Sequence, residues 1–164
     1  MRKLLLFIAA FICLQANAQV EFAKFKLATD NPMGCCPGRK MLDTKFKVTS
    51  ERDLKYVMVD FYIVNPVGDV ISGVDEGVKS DNEEFIKPKT IECTGPYESG
   101  KSYSRWISGV SYSPVKGITA FPYQVRIMYA GEKEWVKIAI TKDNITKFFP
   151  KLKWMEINRY NTIL

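Results

Sequence analysis

The most reactive side chains fall in the stretch NPMGCCPGRK, from Asn31 to Lys40, where Cys35 and Cys36 are adjacent. The other two cysteines are Cys13 and Cys93. Adjacent thiols can bind a soft metal, exchange disulfides or staple a loop. Met33 and Met41 flank the pair, so two thiols and two thioethers lie close together, a donor set suited to Cu(I). The cluster is not repeated, and methionine commonly serves as filler. An adjacent pair is not the C-x-x-C spacing of redox motifs, and there is no histidine to lower a thiol pKa. The expectation is a structural disulfide between Cys36 and Cys93, with Cys35 as the alternative to Cys36. Closing a loop of about 58 residues, it would contribute ~4 kcal/mol through chain entropy. One thiol then stays free or pairs between chains.

The 164 residues contain no histidine. That removes the usual general base, any Ser-His-Asp or Cys-His device, and the commonest zinc ligand. Glycine-rich phosphate loops and G-x-S-x-G elbows are missing too. A hydrolase would have to work with carboxylates, lysine or tyrosine. The sharpest carboxylate is Asp60, an acid inside an apolar run. It is expected to face solvent or to pair with a lysine or arginine at a sheet edge. Buried and unpaired in a cleft, it would instead point to an enzyme. Asp75, Glu76, Asp81, Glu83 and Glu84 could supply calcium ligands, but their spacing matches no calcium loop and Lys79 lies among them. No catalytic residue, metal or cofactor is therefore expected.

Positioning comes next. Arg2 and Lys3 precede an apolar run, Leu4 to Leu14, and Ala16-Asn17-Ala18 is a small-x-small cleavage site. This is the anatomy of a secretory signal peptide over residues 1–18. The run is too short to span a bilayer, which needs ~20 apolar residues. The expected location is periplasmic or secreted, where disulfides are permitted. No second long apolar stretch follows, so no transmembrane segment is expected after signal removal. Beyond residue 18 there remain 22 basic and 18 acidic residues, a mild +4. The basic residues are dispersed, so nucleic-acid binding is not expected.

The chain after the signal reads as short segments rich in Val, Ile, Phe, Tyr and Thr, separated by Gly, Pro, Asn and Asp clusters. That is the pattern of an all-β sandwich or barrel. Residues 19–43 are expected to form a strand (19–28) and the cysteine-containing loop. Residues 44–140 are expected to form the sandwich. Thr44 to Ser50 alternates as a half-buried strand. Leu54 to Val64 is apolar on both faces and should be central. Gly95-Pro96 predicts a turn after a short strand from Thr90. Gln124 to Tyr129 and Glu134 to Ile140 should be hairpin arms around Ala130 to Lys133. In the tail, 141–164, Thr141 is a candidate N-cap for about two helical turns. Ile145, Phe148 and Phe149 would lie on its apolar face, and Pro150 should stop it. Asn144-Ile145-Thr146 is an N-glycosylation sequon, relevant only to a eukaryotic source.

The series NPVGD (Asn65 to Asp69), TGPYESGKSY (Thr94 to Tyr103), RWISGVSY (Arg105 to Tyr112) and VRIMYAGEKEW (Val125 to Trp135) resembles small immunoglobulin-like or fibronectin-III-like domains of secreted and surface proteins. The likeness spans about Thr44 to Ile140. It implies an immunoglobulin-like antiparallel β-sandwich with a short C-terminal helix, and says little of activity. The Cys…Trp…Cys order of antibody domains is missing, because no cysteine follows Trp106. The expected function is a non-enzymatic interaction or structural module with an unknown protein or glycan partner at the cell envelope. The alternative is a glycan-binding module using exposed aromatics. Tyr97 and Tyr123, each beside a proline, and Trp106 are the candidate binding surface.

Overall fold

Alternating apolar residues build two antiparallel sheets and one helical turn in the computed structural model, which describes residues 18–28, 39–70, 88–112 and 117–157. The strands are β1 (Val20–Ala28), β2 (Arg39–Val48), β3 (Leu54–Val64), β4 (Lys89–Tyr97), β5 (Ser102–Tyr112), β6 (Thr119–Tyr129) and β7 (Val136–Ala139). A single turn, α1 (Ile145–Phe148), follows. The first sheet has the order β1-β2-β5 and the second β4-β3-β6-β7. This is an all-β sandwich with a short helix. The expected signal peptide, the Cys35-Cys36 loop and the acidic loop over 75–84 lie outside the described residues.

The core is the space between the sheets. Phe22 and Phe46 of the first sheet and Val57, Val59 and Phe61 of the second are almost fully buried. Phe25 meets Phe61 edge-on with ring centroids 5.8 Å apart, and Phe46 meets Tyr97 at 5.1 Å. Edge-to-face pairs of this kind add to the area term. β3 lies between β4 and β6 and is buried on both faces over most of its length, as its apolar sequence predicts.

β2 is longer than its alternation suggested, starting at Arg39 and pairing with β1 from Met41 to Val48. Residues 20–28 therefore belong to the sandwich itself. β4 does not stop at Gly95-Pro96. It runs on to Tyr97 through a cis Gly95–Pro96 peptide, with a register shift against Leu54 to Tyr56. Glycine is needed there for space: a Cβ on Gly95 would lie 2.8 Å from the Leu54 carbonyl oxygen and 2.7 Å from the Tyr97 nitrogen.

The NPVGD segment turns as expected. Asn65 Oδ1 accepts the N–H groups of Val67 (3.0 Å) and Asp69 (2.9 Å), the side-chain mimicry of an Asx turn. Gly68 has φ +92°, and a Cβ there would sit 2.2 Å from the Glu156 carbonyl oxygen. The tail thus lies across this turn.

The helix is one turn, not two, and Asn144, not Thr141, is the N-cap residue. Asn144 Oδ1 accepts the Thr141 N–H and its Nδ2 donates to the Ala139 carbonyl. These bonds hold residues 141–144 in a turn before the helix starts. Ile145, Phe148 and Phe149 are all buried, as expected. Phe149 stacks on Phe22 at 4.8 Å, closing one end of the sandwich.

Gly95→Ala should destabilise the fold by roughly 1–3 kcal/mol, because the added methyl has backbone on two sides. Urea unfolding checks this. An unchanged midpoint would mean that the β4 bulge relaxes freely.

Candidate functional site

Asp60 is on the outward face of central β3, yet only 4% exposed. Its Oδ1 accepts from Arg126 (2.6 Å) on β6 and from the Thr90 hydroxyl (2.6 Å) on β4. It does pair with an arginine, but inside the sheet and not at an edge. An acid held by two donors from both neighbouring strands has a structural task, since losing either partner would strand a buried charge. Arg126 also lies 5.9 Å from the Trp135 ring centroid, and its Nε is buried without a hydrogen-bond partner among the described residues.

The first sheet repeats the arrangement in a way the sequence did not reveal. Asp43 on β2 is also 4% exposed and forms an ion pair with Lys24 on β1. Lys24 in turn lies 5.5 Å over the Trp106 ring. The signal was present as an acid two residues before Lys45 in an alternating strand, but it read as a loop end.

Cys93 is a free thiol, 3% exposed, in the middle of β4 opposite Val57. The expected staple is therefore not formed at its Cys93 end. The side chain lies in the core, while Cys35 and Cys36 lie outside the described residues. Burial pushes the Cys93 thiol above its ordinary value, and the nearby Arg105 charge offsets part of that. Burial also raises Tyr97, helped by Cys93 and opposed by a hydrogen bond from Arg105.

The aromatic surface expected at Tyr97, Tyr123 and Trp106 is not assembled. Tyr97 is wholly buried, because the β4 register shift turns it inward against Phe46 and Tyr103. Tyr123 is half-buried in β6 and packs on Tyr62 at 5.0 Å. Trp106 alone of the three faces solvent, at 51%.

The concave feature best suited to a ligand lies along β1. Among the described residues this strand pairs with β2 alone. Beside it is a groove of about 530 Å³, within the range of small-molecule sites. Its apolar surface comes from Leu27 and Leu152 over the buried Phe22, Phe25, Ile118 and Phe149, and its basic rim from Lys24, Lys26, Lys45 and Lys151. Among the described residues no carboxylate lines it. Lys24 and Lys45 are direct cross-strand partners, and like charges so placed are destabilising. Asp43 balances Lys24 and stands directly across from Lys26. The other three lysines are exposed.

Asp60→Ala should cost about 2 kcal/mol, since Arg126 keeps some access to water and the charge-assisted bonds are lost. A double-mutant cycle with Arg126→Met, read by urea unfolding, should return a clear coupling energy. Additive effects would show that the pair is not a unit. For Cys93 and Tyr97 the fold favours the neutral, protonated forms. Their contribution to stability is full below the ordinary values, 9.0 for the thiol and 10.0 for the phenol, and is lost as pH rises above each. Native-state alkylation mapped by mass spectrometry should spare Cys93 until the protein unfolds. Rapid native labelling, or a cystine peptide joining Cys93 to Cys35 or Cys36, would contradict the buried free thiol.

Comparison of the chain with protein-family models, curated protein sequences and solved structures finds no match, so its function is argued from its own residues.

Proposed function

We propose that the chain is a non-enzymatic interaction module of the cell envelope or extracellular space, built on an immunoglobulin-like or fibronectin-III-like sandwich, which engages its partner through the groove beside β1. The observation that carries this is the groove itself, a trough of mixed polar and apolar surface along an edge strand whose charged lining residues are all lysines. The state of Asp60 supports a non-catalytic reading, because both of its donors are structural neighbours in the sheet. Among the described residues no group of three or more Cys, Asp or Glu side chains is placed to hold a metal ion. Among them, too, no helix is long and apolar enough to cross a membrane. The basic start and small-x-small site at residues 1–18 support export.

Trp106 favours the second reading, a glycan module, because an exposed indole can stack on a sugar ring. One such ring is a weak platform without a neighbour, and Tyr97 and Tyr123 do not join it.

Affinity capture separates the two readings. The mature domain, the groove variant K26E/K151E and the variant W106A are immobilised and exposed to envelope proteins, lipids and polysaccharides. The proposal expects a saturable component that the groove variant loses and W106A keeps. A polysaccharide retained by the groove variant and lost by W106A would decide for the glycan module.

A further inference from the structure

We infer that the groove beside β1 takes a single-chain amphiphilic anion: a long-chain carboxylate whose hydrocarbon body lies on the apolar floor and whose headgroup meets the lysine rim. The inference rests on the groove being the binding site and adds the class of its occupant.

Three observations select this chemistry. First, the floor is continuous with the core. Phe22, Phe25 and Phe149 pack on one another beneath it, almost wholly buried, with centroids 4.8–5.9 Å apart, and the partly exposed Leu27 and Leu152 give the apolar surface above them. A hydrocarbon chain laid there leaves water at small cost in fit, because the aromatic walls are already fixed by the fold. Second, the charged side chains that line it are all ammonium groups, and the carboxylate beside the rim, Asp43, is engaged with Lys24 and stands across from Lys26. Lys26, Lys45 and Lys151 are exposed, and among the described residues no carboxylate or amide side chain lines the trough. A sugar needs amide and carboxylate partners for its hydroxyls, and a cationic ligand would be repelled. An anion is the complementary charge. Third, β1 is a poor template for an added peptide strand. Its pairing shifts register between Phe22 and Lys24, and it carries lysines at positions 24 and 26. Bulges and edge lysines are the usual devices that prevent strand addition. The backbone edge is blunted while the side-chain trough stays open, which favours a non-peptide occupant.

Isothermal titration of the mature domain with laurate, below its micelle-forming concentration, tests this directly. Saturable binding with one laurate per chain is expected. Octanoate should bind roughly a hundredfold more weakly, by the contribution of each buried methylene. K26E/K151E should lose at least about tenfold in affinity, with a circular-dichroism melt like that of the parent. K137E, on the second sheet, should bind as the parent does. Dodecyltrimethylammonium should not compete. Absence of saturable laurate binding overturns the inference, as does equal affinity in K26E/K151E or equal competition by the cationic amphiphile. Binding of an acidic peptide that laurate cannot displace overturns it in favour of strand addition. Sedimentation with anionic phospholipid vesicles, unaffected by laurate, overturns it in favour of a membrane surface. In the capture experiment, a component lost by the groove variant keeps the groove as the binding site even when laurate fails. Without such a component the parent reading falls too.

Discussion

Burial of β3 on both of its faces is the constraint on which the rest of the structure depends. One face supplies Val57, Val59, Phe61 and Ile63 to the space between the sheets. The other carries Asp60, which cannot stay charged there without partners. Arg126 and Thr90 supply them, one from each neighbouring strand. The ion pair thereby links β4, β3 and β6 across their outer face. Asp43 and Lys24 link β2 to β1 on the outer face of the opposite sheet. Each sheet thus carries one buried carboxylate and one cation from an adjacent strand. Such pairs are weak sources of net stability but strong penalties for the wrong register.

Register matters because it builds the groove. A one-residue slip of β1 on β2 would turn Phe22 and Phe25 outward and Lys24 and Lys26 inward. The observed register sets Phe22 opposite Phe46, shifts at Ala23, and then sets Lys24 opposite Lys45. The apolar rings therefore lie in the core beneath the trough, while the ammonium groups stay on the rim. Phe149 completes the wall by stacking on Phe22, so the helical turn both covers the sandwich end and shapes the site.

Much of the scaffold was legible in the sequence. β3 announced itself by apolar residues on both faces, β6 and β7 by a hairpin, and the tail by the spacing of Ile145, Phe148 and Phe149. Where the reading failed, a residue served two purposes. Asp43 looked like the end of a loop because an acid rarely sits buried in a strand, and only the distant Lys24 makes it tolerable. Gly95-Pro96 looked like a turn, but the glycine is there because neighbouring backbone leaves no room for a side chain, and the strand continues to Tyr97. That error placed Tyr97 on the surface when it is in the core. The groove could not be read at all. Its walls come from residues 22–27, 118–119 and 149–152, which only the fold brings together. Its lysines, spaced two apart in alternating strands, looked like an ordinary solvated face.

The central claim is that the β1 groove, and neither the Trp106 face nor the Asp60 face, is where this protein meets its ligand. Backbone amide chemical shifts of the isotope-labelled domain, followed by NMR during addition of laurate, test it most directly. The account predicts saturable shifts concentrated at residues 22–27 and 149–152. Shifts centred on Trp106, or around Asp60 and Arg126, with residues 22–27 unmoved, would contradict it.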